Sequence, residues 1–340
     1  MRVCIVPEYP MSLMTGGLQV QAVETRNALS SLGGNMSAEL FEWSKTGIPC
    51  DLYHFIGFPG HLHRIAELVH QAGRPYIVTM LFGGVRNPFQ LRKAAARRWI
   101  GSNVLGKKDR DNAILRAACV VTITEADAAA AHIIYGVVKA KIEVVPNGLP
   151  EDFFKCTSET WHKAYGNKDF VLCVGAVQQR KAQLLLAQVC NRVKLPLVLL
   201  GPVLPGEAEY GQRVGDAMRE NEALGGRWLQ HLRNEDALLL SAHAACRVFA
   251  LLSNDETQPL SVMQAMAARK PVLLRDAPYA DDKLFRQLPR VPSTDVSVVA
   301  DALYEIWQNG KATELSPDYS WQNVARRLQV IYGRMLKSNQ

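Results

Sequence analysis

The sequence predicts two successive α/β units, each a parallel sheet covered by helices on both faces. Three observations carry that expectation. Short apolar, β-branched runs alternate with segments of helical spacing along the whole chain. The strand-like runs are continuously apolar, the pattern of strands buried on both faces. The alternation breaks once, about midway, at the polar, turn-rich stretch PNGLPEDFFKCTSETWHKAYGNKD. A chain of 340 residues exceeds the usual size of one core, so that break reads as a domain boundary.

In chain order the first unit offers the strand-like runs RVCIV, DLYHFI, PYIVTM, CVVTIT and IEVV. The second offers DFVLCV, PLVLL, CRVFALL and PVLL. The first intervening helix shows its inward face at Leu18, Ala22, Thr25, Leu29 and Leu32. Hydrophobic content of 48% with 21% charged residues is that of an ordinary globular protein. No segment reaches the roughly 18 uncharged apolar residues of a membrane span. The N-terminal run VCIV is cut by Pro7 and Glu8, which makes it a first strand rather than the core of a signal sequence. Seven cysteines (Cys4, Cys50, Cys119, Cys156, Cys173, Cys190 and Cys246) stand singly, without metal-ligand spacing. They read as reduced core thiols of a cytoplasmic protein.

Sheets of this kind bind ligands beyond the carboxyl ends of their strands, so the loops there hold the candidate site. Gly16 and Gly17 fall where the first helix begins, a placement that suits either close approach to a ligand or a plain tight turn. In the second unit Gly175 ends a strand, and Arg180 and Lys181 precede the next helix. Two cations at a helix N-terminus repel its dipole and call for a compensating anion, a phosphate above all. Asp255 and Glu256 stand just before another helix, where they read either as dipole-matched caps or as part of a ligand site.

Taken together, Gly16-Gly17, DLYHFIG, AACVVTITEADAAAAHIIYGVVKAKIEVVPNGLPEDFF, VGAVQQRKAQ, VLLGP and ETQPLSVMQAMAARKPV resemble the retaining glycosyltransferases of family 4. The terminal SWQNVARRLQVIYGRML resembles that family's last helix, which returns to the first domain. The resemblance implies the GT-B architecture, two Rossmann-like domains facing across a cleft. Residues 1–165 are then the acceptor-side domain, 166–318 the nucleotide-sugar donor domain, and 319–340 the returning helix. It also implies transfer of a sugar from a nucleoside diphosphate donor to an acceptor hydroxyl with retention, in cell-surface glycan or glycolipid biosynthesis. The family needs neither a further cofactor nor a metal for transfer.

Residue by residue, the resemblance assigns the diphosphate to Arg180 and Lys181, with Gly175 beside them. Glu256 contacts the transferred sugar, as the first carboxylate of a Glu-x7-Glu motif. Thr257, Gln258, Pro259 and Leu260 lead into the helix, and Gln264 takes the ribose position. Gly16 and Gly17 shape the loop over the sugar. Apart from the resemblance, His61 and His63 in the loop GFPGHLH read either as polar groups on the acceptor side, with Asn147, or as plain surface residues. Three positions depart from the family pattern: Gln264 replaces the second carboxylate, Ala176 a common Arg, and Leu81 a His that contacts donor and acceptor. These departures keep open a descendant that binds nucleotide sugars without catalysis.

Net charge is +7. The segment from Arg92 to Arg110 holds seven basic residues and one acidic residue, with Trp99 and Ile100 interleaved. Helical spacing puts Arg92, Lys93, Arg97 and Arg98 on about one face. Such a face suits an anionic membrane surface and a lipid-linked acceptor, with the protein peripheral at the inner face, or it is simply solvated. GT-B folds also glycosylate DNA bases, but no separate base-reading motif points to nucleic acid here. The expected partners are thus a nucleotide sugar and a saccharide or lipid-linked acceptor. His61 and His63 have no third ligand to make a metal site.

Overall fold

The computed structural model describes residues 1–10, 17–44, 50–58, 60–82, 88–100, 107–231 and 236–337. The chain forms two compact units, Met1–Gly148 with Asp318–Gln340, and Leu149–Pro317.

The first unit runs β1 (Arg2–Pro7), α1 (Gly17–Ser31), β2 (Ser37–Leu40), β3 (Leu52–Ile56), α2 (His63–Gln71) and β4 (Tyr76–Met80). It continues through α3 (Pro88–Ile100), α4 (Lys107–Arg116), β5 (Cys119–Thr122), α5 (Glu125–Tyr135) and β6 (Ile142–Val144). The second unit comprises α6 (Glu159–Tyr165), β7 (Val171–Val174), α7 (Gln183–Arg192), β8 (Leu197–Leu200), α8 (Ala208–Glu222) and β9 (Arg227–Leu229). After these come α9 (Ala237–Ala245), β10 (Val248–Leu251), α10 (Leu260–Ala267), β11 (Val272–Arg275), β12 (Arg290–Val291) and α11 (Val296–Asn309). Helix α12 (Trp321–Lys337) then completes the first unit.

Each unit is built on one six-stranded sheet, ordered β2-β1-β3-β4-β5-β6 in the first and β12-β11-β10-β7-β8-β9 in the second. All ten strand pairings among the described residues are parallel. The two-residue side-chain period of a strand divides the first sheet between two cores. Val3, Ile5, Leu52, Ile77 and Val121 pack with Ala22, Leu29 and the residues of α12. Cys4, Val6, Tyr53, Phe55, Val78 and Val120 face Ala66, Val69, Ile114 and Ala131 of α2, α4 and α5. Helix α12 buries Trp321, Val324, Ala325, Leu328, Ile331 and Tyr332, a stripe of helical period laid against the sheet and α1. A Cβ on Gly148 would meet the Trp321 Cα at 2.8 Å, so only glycine fits against the first turn of that helix.

The units divide at 148/149, upstream of the expected break after residue 165. The polar stretch that interrupts the strand–helix alternation also contains two large rings that belong to the second core. Trp161 is 2% exposed, packs 5.0 Å from the Phe170 ring and donates its backbone N–H to Ser241 Oγ at 2.8 Å. Phe153 meets the His243 ring edge-on at 5.6 Å. At the other end the first unit resumes at Asp318, one residue before the expected start of the returning segment.

One histidine is buried in each unit. His54, 1% exposed, bonds Tyr332 Oη of α12 at 2.7 Å and Thr79 Oγ1 of β4 at 2.6 Å through its two ring nitrogens. It is a core residue that ties α12 to the sheet. His243 is fully buried, donates from Nδ1 to the Leu239 carbonyl at 3.0 Å and stacks on Phe249. Burial lowers the His54 pKa from 6.5 to about 3 and that of His243 to about 4, because charge is costly in both cores. The unfolded chain therefore takes up protons below pH 6.5 that the folded chain refuses, and stability is lost as pH falls from there. Between pH 6.5 and pH 5, linkage makes the loss about 1–2 kcal/mol per histidine. Denaturant titrations at those two pH values should show it, and His243→Phe should remove the second unit's share. A wild-type profile flat across this range would contradict it.

Candidate functional site

The second sheet reverses its winding between β7 and β10, because β8 and β9 extend it to one side of β7 while β10, β11 and β12 extend it to the other. At such a switch point the two strand-end loops part and leave room for a ligand. Gly175–Ala182 follow β7, and Leu252–Pro259 follow β10.

Backbone geometry places Lys181. Gly175 has φ of +143°, and a Cβ there would meet Lys181 Nζ at 2.9 Å, so the ammonium lies directly over the glycine. A Cβ on the neighbouring Gly201, which ends β8, would strike the Gly175 carbonyl oxygen at 2.4 Å. Residues Gln179–Lys181 form a single 3-10 turn. Ala182 then adopts the left-handed conformation (φ 53°, ψ 33°) from which α7 starts, at a cost of roughly 1–2 kcal/mol for a non-glycine residue. Gln183, fully buried, holds the loop by donating to the Ala176 carbonyl at 3.0 Å and accepting from the Gln178 N–H at 3.4 Å.

The β10 loop is stitched to this one. The Asn254 N–H donates to the Arg180 carbonyl at 2.9 Å. Ser253, fully buried, donates its hydroxyl to the Asp255 carbonyl at 3.0 Å and accepts from Arg180 Nη1 at 3.4 Å. The result is a three-charge corner: Lys181 Nζ at 3.0 Å and Arg180 Nη1 at 3.2 Å share one carboxylate oxygen, Glu256 Oε1. That oxygen is buried and neither contact has hydrogen-bond geometry, so the attraction is Coulombic rather than directional. Arg180 keeps 37% of its side chain exposed, whereas Lys181 and Glu256 keep only 13% and 12%. Beside them Asp255 has a buried Oδ1 without a hydrogen-bond partner. Burial pushes its carboxyl pKa up, Arg180 opposes the shift, and the charge of Glu256 adds to it.

Arg180, Lys181, Gly175 and Glu256, far apart in sequence, are thus brought to one corner. Helix α10 starts only at Leu260, with Pro259 at its N-cap and no acidic residue in its first turn. Asp255 and Glu256 therefore do not cap it, which removes the capping alternative. Thr257 is half-buried, Gln258 and Pro259 are buried, and Gln264 lies in the second turn of α10 at 9% exposure. The residues that pattern reading missed are Ser253, Gln183 and Gly201.

In the first unit Gly16 lies outside the described residues, and Gly17 opens α1 with free space around its Cβ position. His61 bonds the Glu8 carbonyl at 2.8 Å and packs on the Tyr9 ring, beyond the carboxyl ends of β1 and β3. His63 instead turns to the Gly60 carbonyl and lines a groove with Glu67, His70, Asp109 and Arg116. The two histidines are therefore not one polar cluster. Asn147 is buried in the loop after β6, and Leu81 is half-buried after β4. No cluster of three or more His, Cys, Asp or Glu suited to a metal occurs among the described residues. No described helix is long and apolar enough to cross a membrane.

The basic segment also differs from its helical-wheel reading. Arg98 turns inward, its guanidinium 4.2 Å over the Tyr135 ring, with Nε donating to Asp111 Oδ2 at 2.8 Å and Nη1 to the Ile134 carbonyl. Arg92, Lys93 and Arg97 remain exposed, so the outward face carries three of the four expected cations. Nothing is described of the Trp99 and Ile100 side chains.

Gly175→Ala should force Lys181 off its seat and weaken binding of inorganic pyrophosphate by about tenfold, the equivalent of one charge-assisted hydrogen bond. Titration calorimetry reads this, and unchanged affinity would contradict the placement.

Residues 168–309 match the family described as Glycosyl transferases group 1. Sucrose-phosphate synthase from Thermosynechococcus elongatus is similar over 99% of both chains, with TM-score 0.72 and 15% identity. Anabaena Alr3699/HepE in complex with UDP has TM-score 0.70 and 16% identity, over 98% of this chain and all of that one. The same protein in complex with UDP-glucose has TM-score 0.66 and 16% identity over 99% of both chains. No match to a protein of curated function was found. The second unit carries a glycosyl transferases group 1 domain, and the chain as a whole has the GT-B glycosyltransferase fold.

Proposed function

We propose that the protein transfers a sugar from a UDP-sugar to an acceptor hydroxyl with retention of anomeric configuration. The observation that carries this reading is the convergence of Arg180 and Lys181 on Glu256 at the β7/β10 switch point. A diphosphate fits two cations that share a single carboxylate oxygen, and UDP is the nucleotide of the HepE complexes. In the donor complex Arg180 and Lys181 hold the diphosphate and Glu256, released from them, orients the transferred sugar. Gln264 offers its amide to the ribose in place of a second carboxylate.

The reaction follows from the same groups. As the anomeric C–O bond to the β-phosphate breaks, negative charge grows on the phosphate oxygen, where the two cations stabilise it. The acceptor oxygen bonds to the anomeric carbon on the face the phosphate leaves, and its proton passes to that phosphate. The products are UDP and the glycoside, with no covalent sugar–enzyme intermediate and no metal in the step. The acceptor is a saccharide or lipid-linked hydroxyl, in cell-surface glycan or glycolipid synthesis.

Lys181→Ala should weaken UDP binding by about tenfold or more, the worth of a charge-assisted bond. Glu256→Ala leaves both cations unneutralised, so UDP should bind as tightly as before or tighter, while donor hydrolysis or transfer falls at least about tenfold. Calorimetry with UDP and product analysis over a nucleotide-sugar panel separate the two effects. Wild-type protein that binds UDP-sugars but turns over none of them would instead identify the binding-only descendant that Ala176, Leu81 and Gln264 keep open.

A further inference from the structure

We propose that the outward face of α3 docks on an anionic phospholipid bilayer, with Phe89 entering the interface and Arg92, Lys93 and Arg97 meeting lipid phosphates. Phe89, Arg92, Lys93, Ala96 and Arg97 are all exposed and fall at i, i+3, i+4, i+7 and i+8, one side of a helix. Phe89 is 74% exposed, more than any other large hydrophobic side chain among the described residues. The three cations around it have no acidic partner among the described residues, and the sequence contains no Asp or Glu between Glu67 and Asp109. A ring set among uncompensated cations is complementary to a surface that is apolar within and negatively charged at its phosphates.

The helix is held so that this face stays outward. Leu91, 6% exposed, is buried on the opposite side. Arg98 is fastened to Asp111, the Ile134 carbonyl and the Tyr135 ring, which fixes the rotation of α3 against α4 and α5. The neutralised arginine orients the helix, and the three free cations face away from it. Nucleic acid would also meet the cations, but an exposed phenylalanine gains little from a phosphate backbone, whereas a bilayer interface accepts both kinds of group. The proposal uses none of the UDP-site residues, so either reading can fail without the other.

The test is flotation of the full chain with vesicles of phosphatidylcholine and phosphatidylglycerol at 7:3, against pure phosphatidylcholine, at low salt. The wild type should float with the anionic vesicles only. Replacing Arg92, Lys93 and Arg97 together by Gln should reduce partitioning by at least about tenfold, since each basic residue near such a surface contributes a several-fold increase in binding. Phe89→Ser should reduce it several-fold and leave residual binding that moderate salt abolishes. Both variants should retain the wild-type circular dichroism spectrum and UDP affinity. Absence of wild-type flotation, equal flotation of the triple variant, or binding to duplex DNA without binding to vesicles would each overturn the proposal.

Discussion

The three-charge corner depends on Lys181 lying over Gly175, and that contact is set by backbone rather than by side-chain choice. The positive φ of Gly175 ends β7 in a conformation that L side chains rarely adopt. Gly201 must then lack a Cβ for β8 to close against it. The left-handed Ala182 turns the chain sharply enough to bring the 3-10 turn back over the strand end. Strain of that kind persists only where surrounding contacts over-determine it. Here Gln183 below and Ser253 beside the loop supply those contacts.

Why Asp255 and Glu256, adjacent in sequence, have different environments follows from the same arrangement. Glu256 reaches both cations through one oxygen, so its negative charge is matched. Asp255 has only part of Arg180's influence, loses solvent, and sits next to a second carboxylate, so its charged form is disfavoured. A ligand that takes over Arg180 and Lys181 changes this balance for both carboxylates at once. The charge state of the corner would thereby be linked to occupancy.

The sheets were legible because a strand buried on both faces announces itself locally, in a few consecutive apolar residues such as LVLL and VFAL. The division at 148/149 falls within the polar, turn-rich stretch that interrupts the alternation, but its position inside that stretch was not legible, because a polar stretch reads as a linker even when one Phe and one Trp within it are buried. Arg180, Lys181 and Glu256 stood out as charges at strand ends followed by helices. Ser253, Gln183 and Gly201 did not, since a lone small or polar residue has no period and its role exists only once two loops meet. Arg97 and Arg98 show the same limit: neighbours of one type on one helix, separated by a 100° turn, one exposed and the other held by Asp111 and Tyr135.

The basic residues therefore fall into physically distinct groups that a net charge of +7 cannot separate. Lys181 acts at close range from a position 13% exposed, where little water lies between it and Glu256 and its effect depends on a placement accurate to a fraction of an ångström. Arg92, Lys93 and Arg97 stand in solvent, where a charge is felt over a Debye length of about 8 Å at physiological ionic strength and exact placement matters little. Arg98 belongs with neither, because its charge is spent on orienting a helix. Removing a member of the first group is a geometric change to a packed corner, whereas removing one of the second is a graded change in attraction. Salt concentration should accordingly act on α3 far more than on the corner formed by Arg180, Lys181 and Glu256.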